Sequence, residues 1–250
     1  MFLGLTKSLE DIAFNDINFP KNNHIAMIDN NEFRKYAVHH RGISSNTFDQ
    51  YAGDIVNMTR SVIEERDTPF REVDVFSRLI ADRIIFIGTE LSNEIANIIQ
   101  AQLLFLESTD PSKDIQIYIN TPGGSVYGGL GVYDTMQYIS CKISTICTGM
   151  AASMGAVILA AGATGKRYAL KHSRIMLHQP SGYTGGQASD IDIAVREVLR
   201  AKQDLYEILS YHTGQTVEQL EKDAQRDFWM SSDEAKEYGL IDQVIFREKK

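Results

Sequence analysis

From residue 83 onward the chain sets short apolar runs against stretches of helical periodicity, and this alternation limits the folds open to it more than any other feature. RIIFIG (83–88) ends in glycine and reads as a buried strand. Ser92 then offers an N-cap to a helix whose Ile95, Ile98, Ile99, Leu103 and Leu106 fall on one face. DIQIYIN (114–120) alternates as a strand, TPGG breaks it, and GLGVYDTMQYI (129–139) has helical spacing. ISTICT (143–148) is the next strand, a helix follows from Ser153, and RIMLH (174–178) is a strand again. A long amphipathic helix runs from about Ser189 to His212, with Gly214 placed to close it. Ser231 and Glu234 have capping-box spacing before Gly239, and LIDQVIF reads as a last strand. Strands separated by helices in this way predict parallel βαβ units and an α/β fold.

A chain of 250 residues buries a sizeable core without staples. Its formal charge of -8 argues against nucleic acid or an anionic membrane surface as the main partner. Two cysteines, Cys141 and Cys147, make no zinc set, and no histidine pair has His-x-x-x-His spacing, so no dedicated metal site is expected. The start MFLGLTKSLEDIAF meets acids too early for a signal or transit peptide. Residues 143–165 hold no charge over 23 positions, but their Ser, Thr and Gly content favours a buried strand, turn and helix over a membrane span. The expected compartment is the cytoplasm. The first 57 residues, rich in Asn and Asp, read as an extension or propeptide-like segment with one short helix near 31–40.

Three places could carry chemistry. Ser153 in GMAASMGA stands at a strand-to-helix junction among small neighbours. It is either the helix N-cap or a nucleophile that a substrate must reach. His178 ends a strand just before Pro180 and Gly182, where open α/β sheets place their sites, though a half-buried loop histidine fits the same pattern. TPGGS (121–125) is either a tight turn or a backbone that must aim N–H groups at a ligand. Six aspartates (190, 192, 204, 223, 227 and 233) could orient a base, and periodicity does not choose among them.

Taken together, FSRLIADRIIFIG, the run from AQLLFLE through INTPGGSVYGG to DTMQYI, STICTGMAASMGA, HSRIMLHQP, GQASDIDIAVREVL, HTGQ and DEAKEYGLID resemble the family of Clp protease proteolytic subunits (ClpP). They stand in family order over residues 72–248. The resemblance implies a crotonase-like spiral of ββα units with a protruding strand–helix handle at 182–213, an axial N-terminal loop at 58–75, and one peptidase domain over 58–250. It implies a serine endopeptidase with Ser153 as nucleophile, His178 as base and Asp227 as orienting acid, Asp223 being the lesser alternative. Gly124 and Met154 would donate their backbone N–H groups to the oxyanion. Ser125 and Val126, with the segment 182–187, would pair with an extended substrate. The family's assembly is a homo-oligomer of two stacked heptamers, with the handle at the ring-to-ring contact. A hexameric Clp ATPase docks on its faces, through positions matching Tyr118, Tyr138, Ile146, Tyr168 and Leu170, and feeds in unfolded polypeptides. No cofactor is expected in this chain, since ATP is used by the partner ATPase.

The chain departs from the family in its longer N-terminal segment and at two docking positions, Gln116 and Thr148. The rival readings are an inactive, scaffolding ring subunit and a crotonase-fold acyl-CoA hydratase or isomerase, which needs no Ser-His-Asp set. The discriminating feature is that all three triad positions are filled.

Overall fold

The computed structural model describes residues 34–40, 42, 44–46, 62–66, 68–182 and 184–246. Most of the expected N-terminal extension, and Tyr183 in the expected substrate-pairing segment, lie outside these residues.

Two strands come first, β1 (Val62–Arg66) and β2 (Thr68–Val73), paired antiparallel with Val62 opposite Val73. They occupy the stretch expected to form the axial loop. Then follow α1 (Val75–Ala81), β3 (Ile84–Ile87), α2 (Asn93–Thr109), β4 (Ile115–Thr121), α3 (Val126–Tyr138), β5 (Ile143–Ala152) and α4 (Met154–Ala160). The chain continues through β6 (Arg167–Leu170), β7 (Arg174–Leu177), α5 (Ala188–Thr213), α6 (Val217–Asp223), β8 (Phe228–Ser231), α7 (Ser232–Tyr238) and β9 (Gln243–Ile245).

The main sheet has seven strands, and it divides at β5. The first half of β5 pairs in parallel with β6 at Thr145–Cys147, and β6 carries β9. Its second half pairs in parallel with β7 at Met150–Ala152. The β4–β5 register shifts at the division, between Ile119 and Thr121. There the side chain of Asn120 accepts the Met150 N–H, replacing a ladder bond, and the carboxamide lies where a Cβ on Gly149 would stand. The sheet is therefore parallel except for its last pair: β7 and β8 run antiparallel, which simple strand–helix alternation does not predict.

The core lies on one face of this sheet. Along β4, Ile115, Ile117, Ile119 and Thr121 are buried, with the residues between them facing the other way. Of the expected apolar face of α2, Ile99, Leu103 and Leu106 lie in the main cluster with Ile95 packed against it, while Ile98 turns to a second, smaller cluster. Every residue of α4 is buried, so the uncharged stretch 143–165 is a strand and an interior helix. Among the described residues, no helix is long and apolar enough to cross a membrane. Within the expected helix near 31–40, a π-helical turn forms at Tyr36–His40. Ala37 is fully buried there against Ile98 and Ala101 of α2, and the Tyr36 ring meets Phe105.

The caps follow the sequence. Ser92 accepts the N–H of Ile95, and Ser231 with Glu234 makes the full capping box. Gly214 and Gly239 end α5 and α7 in the left-handed conformation. α3 starts three residues earlier than its periodicity suggests, because Ser125 caps it by accepting the Gly128 N–H. Arg167, buried in β6, pairs with both oxygens of Asp242 and donates to the carbonyls of His212 and Gly239. One guanidinium thus satisfies the carboxyl ends of α5 and α7.

Candidate active site

Ser153 sits between β5 and α4 with φ 54° and ψ −122°, a backbone conformation rare for a residue with a side chain. Its N–H donates to the Met176 carbonyl of β7, and its own carbonyl accepts the first bonds of α4 from Ala156 and Val157. It occupies the N-cap position, yet its hydroxyl caps nothing. Oγ lies 2.9 Å from Nε2 of His178 instead.

His178 and Asp227 meet through strand register. Leu177 is opposite Phe228 at the end of the β7–β8 ladder, so the next residues outward, His178 and Asp227, face each other. Nδ1 of His178 is 3.1 Å from Oδ1 of Asp227. Gln179 anchors the same corner by donating its N–H to the Ala224 carbonyl and its side-chain amide to the Gln225 carbonyl. With a carboxylate opposite Nδ1, that nitrogen carries the proton, which leaves Nε2 to accept from the Ser153 hydroxyl. Asp223, the alternative acid, is engaged elsewhere: it accepts from the Gln219 amide and from the Tyr238 phenol. Burial, then that bond, holds the Tyr238 phenol well above its usual range. Asp192 pairs with Arg196.

The Gly123–Gly124 turn shows why TPGGS needs its glycines. Their φ values are 96° and 148°. A Cβ on Gly123 would stand 2.7 Å from both the Ala152 carbonyl oxygen and the Ser153 Cβ, and one on Gly124 would stand 2.4 Å from the Leu91 carbonyl oxygen. Leu91 donates to the Gly123 carbonyl and accepts from the Ser125 N–H, while the Gly123 N–H goes to Thr121 Oγ1. Among the described residues, the N–H groups of Gly124 and Met154 have no protein acceptor. The turn is therefore both tight and pressed against the serine. Thr121, the first residue of TPGGS, and Leu91, which the sequence does not single out, shape it. The signal for Thr121 is a hydroxyl at an inward position of an otherwise apolar strand.

Ser125 caps α3 and donates to Asn93 Oδ1, 2.5 Å away, while Val126 packs against the core. The expected docking residues gather largely on the sheet's outer face. Tyr118, Ile146 and Tyr168 stand in register on β4, β5 and β6, with Leu170 two residues further along. Tyr118 and Tyr168 are half-buried, and Leu170 and Tyr138 are exposed. Ile146 is 4% exposed, because tyrosines stand on both sides of it, so it forms the floor of this row. The Tyr118 phenol donates to Gln116 and the Thr148 hydroxyl to the Ile119 carbonyl, so both departures from the family make local bonds. Among the described residues, no group of His, Cys, Asp and Glu could hold a metal ion.

Residues 65–248 match the family model of the Clp protease. The chain is 56% identical over 221 residues to the "ATP-dependent Clp protease proteolytic subunit" of Porphyromonas gingivalis, covering 88% of this chain and 100% of that protein. It is 53% identical to the subunits of that name from Bacteroides fragilis and Bacteroides thetaiotaomicron, in each case over 218 residues, 87% of this chain and 99% of theirs.

Proposed function

The chain belongs to the Clp protease family, and on that premise we propose that Ser153, His178 and Asp227 are the nucleophile, general base and orienting acid of its proteolysis. It is a serine endopeptidase, a proteolytic subunit of the ATP-dependent Clp type. The observation that carries the residue assignment is the direction of the Ser153 hydroxyl: it turns from the helix it could cap to the Nε2 of a histidine whose other nitrogen faces a carboxylate.

As Oγ attacks a peptide carbonyl, Nε2 takes its proton, and the resulting imidazolium is stabilised by Asp227. The carbonyl oxygen becomes an oxyanion, received by the N–H groups of Gly124 and Met154, both without a competing acceptor among the described residues. The imidazolium then gives its proton to the departing amine, leaving an acyl group on Ser153. A water attacks that ester with the same histidine as base. A hydratase of the same fold would use the two donors and have no need of the hydrogen-bonded three.

The substrate is an unfolded polypeptide held as an extra strand between Ser125–Val126 and residues 182–187. Main-chain pairing explains tolerance of many sequences. Two stacked heptameric rings of this chain enclose the sites, with residues 182–213 as the handle between rings. A hexameric Clp ATPase docks at Tyr118, Tyr138, Tyr168 and Leu170, over Ile146, and residues 58–75 surround the axial pore. Residues 1–57 form the extension. The subunit needs no cofactor of its own, because ATP is spent by the ATPase. Buried, unpaired Cys141 and Cys147 suit the reducing cytoplasm.

A fluorophosphonate probe tests the assignment. One adduct is expected, on Ser153, absent in His178→Ala. Ser153→Ala is expected to abolish peptide hydrolysis and leave the particle's mass unchanged; hydrolysis near the wild-type rate would overturn the nucleophile.

A further inference from the structure

The oxyanion turn is held on one side by the sheet, through Leu91 and Thr121. Its other side leads directly into α3, and the first turn of α3 reaches the handle helix. Tyr127, the second residue of α3, donates its phenol to Glu197 of α5 over 2.8 Å, joining positions 70 residues apart. The Tyr127 ring is 59% exposed, so burial does not set its direction; the hydrogen bond does. Glu197 is itself positioned, because its second carboxylate oxygen accepts from Arg200 at 2.7 Å. That bond to Glu197 also holds the phenol above its usual range.

α3 is linked to both residues whose N–H groups are assigned to the oxyanion, one along the chain and one by side-chain packing. Gly124 lies three residues before Tyr127. The side chain of Met154 packs on Gly129, where an added Cβ would stand 2.3 Å from the methionine methyl carbon. A small shift of the start of α3 therefore moves one donor through the chain and disturbs the other through packing. Further along, α3 meets α5 again, where the Tyr133 phenol and His212 Nε2 are 3.2 Å apart.

We infer that Tyr127 is a positioning residue for the oxyanion turn, acting through Glu197 to tie the aim of the Gly124 and Met154 donors to the handle helix. The inference rests on the reading of Ser153 as nucleophile. Donors of this kind act on the transition state more than on the bound substrate, so loss of their alignment appears in kcat and leaves KM nearly unchanged.

The test uses the full-length assembled particle, with fluorogenic peptides for steady-state rates and the fluorophosphonate probe for the rate of Ser153 labelling. Tyr127→Phe keeps the ring and removes one hydrogen bond. It is expected to lower kcat about three- to tenfold with KM within about twofold, and to slow labelling by a similar factor. Glu197→Ala should reproduce this loss, while Glu197→Gln, which still accepts from the phenol, should recover most of the rate. The double variant Tyr127→Phe/Glu197→Ala should be no slower than either single one. Wild-type kcat and labelling in Tyr127→Phe, with the particle mass unchanged, would overturn the inference alone. So would additive losses in the double variant, or a loss in Glu197→Gln as large as in Glu197→Ala. A wild-type particle that takes no adduct on Ser153 would overturn the nucleophile assignment and this inference together.

Discussion

The two halves of α5 share one amphipathic helix but not one fate. In the second half, Ala201, Leu205, Tyr206 and Leu209 are buried against the core. In the first half, Ile191, Val195, Val198 and Leu199 have the same helical spacing, and all are at least 36% exposed, as is Ile193 on a further side. Spacing alone marks an apolar face; it does not say whether the same chain covers it. The first half leaves these apolar side chains exposed, which supports placing it at the proposed contact between rings.

Breaking the buried half should have the largest effect. Leu205→Ala removes packing from the main core and is expected to lower the subunit's unfolding free energy by about 2–5 kcal/mol, read from urea unfolding. Loss of less than about 1 kcal/mol would show that the second half is no better supported than the first. Next comes Leu199→Asp in the exposed half. The far-UV circular dichroism should be unchanged while sedimentation reports a particle of half the mass; an unfolded subunit would erase the contrast between the halves. The smallest effect concerns pH at the buried end. Burial, with the nearby Arg167 charge, pulls the His212 imidazole down from 6.5 to about 4. Between those values the unfolded chain binds a proton that the folded chain refuses, so stability is full above about pH 6.5 and declines as pH falls toward about 4. His212→Gln should flatten that part of the urea-midpoint curve; an identical slope in both proteins would remove the histidine from the account.

Much of the sheet was legible because β3, β4, β5 and β7 are mostly apolar or alternating runs whose burial shows in composition. β6 and β8 were not. RYAL and FWMS lack a sustained apolar run, and only pairing with distant strands makes them strands. The same limit applies to the site. Whether Ser153 capped a helix or faced a base depended on where one hydroxyl pointed. Six aspartates were equivalent along the chain until the register of β7 and β8 set Asp227 beside His178. Family resemblance supplied the same choice by another route, because relatives carry the outcome of that pairing in their motifs. The Tyr127–Glu197 bond had no such signal, since nothing local relates two positions 70 residues apart.

At position 153 the fold and the chemistry ask for different residues. A side chain held at φ 54° and ψ −122° burdens the native state by about 1–3 kcal/mol, and glycine would adopt the same backbone without that burden. A lineage released from selection for hydrolysis would therefore find substitution of this serine by glycine nearly free, or even an improvement in durability. On the assignment proposed above, a variant that keeps the fold and discards its reactivity lies one substitution downhill, and demand for cleavage is what holds the hydroxyl in place.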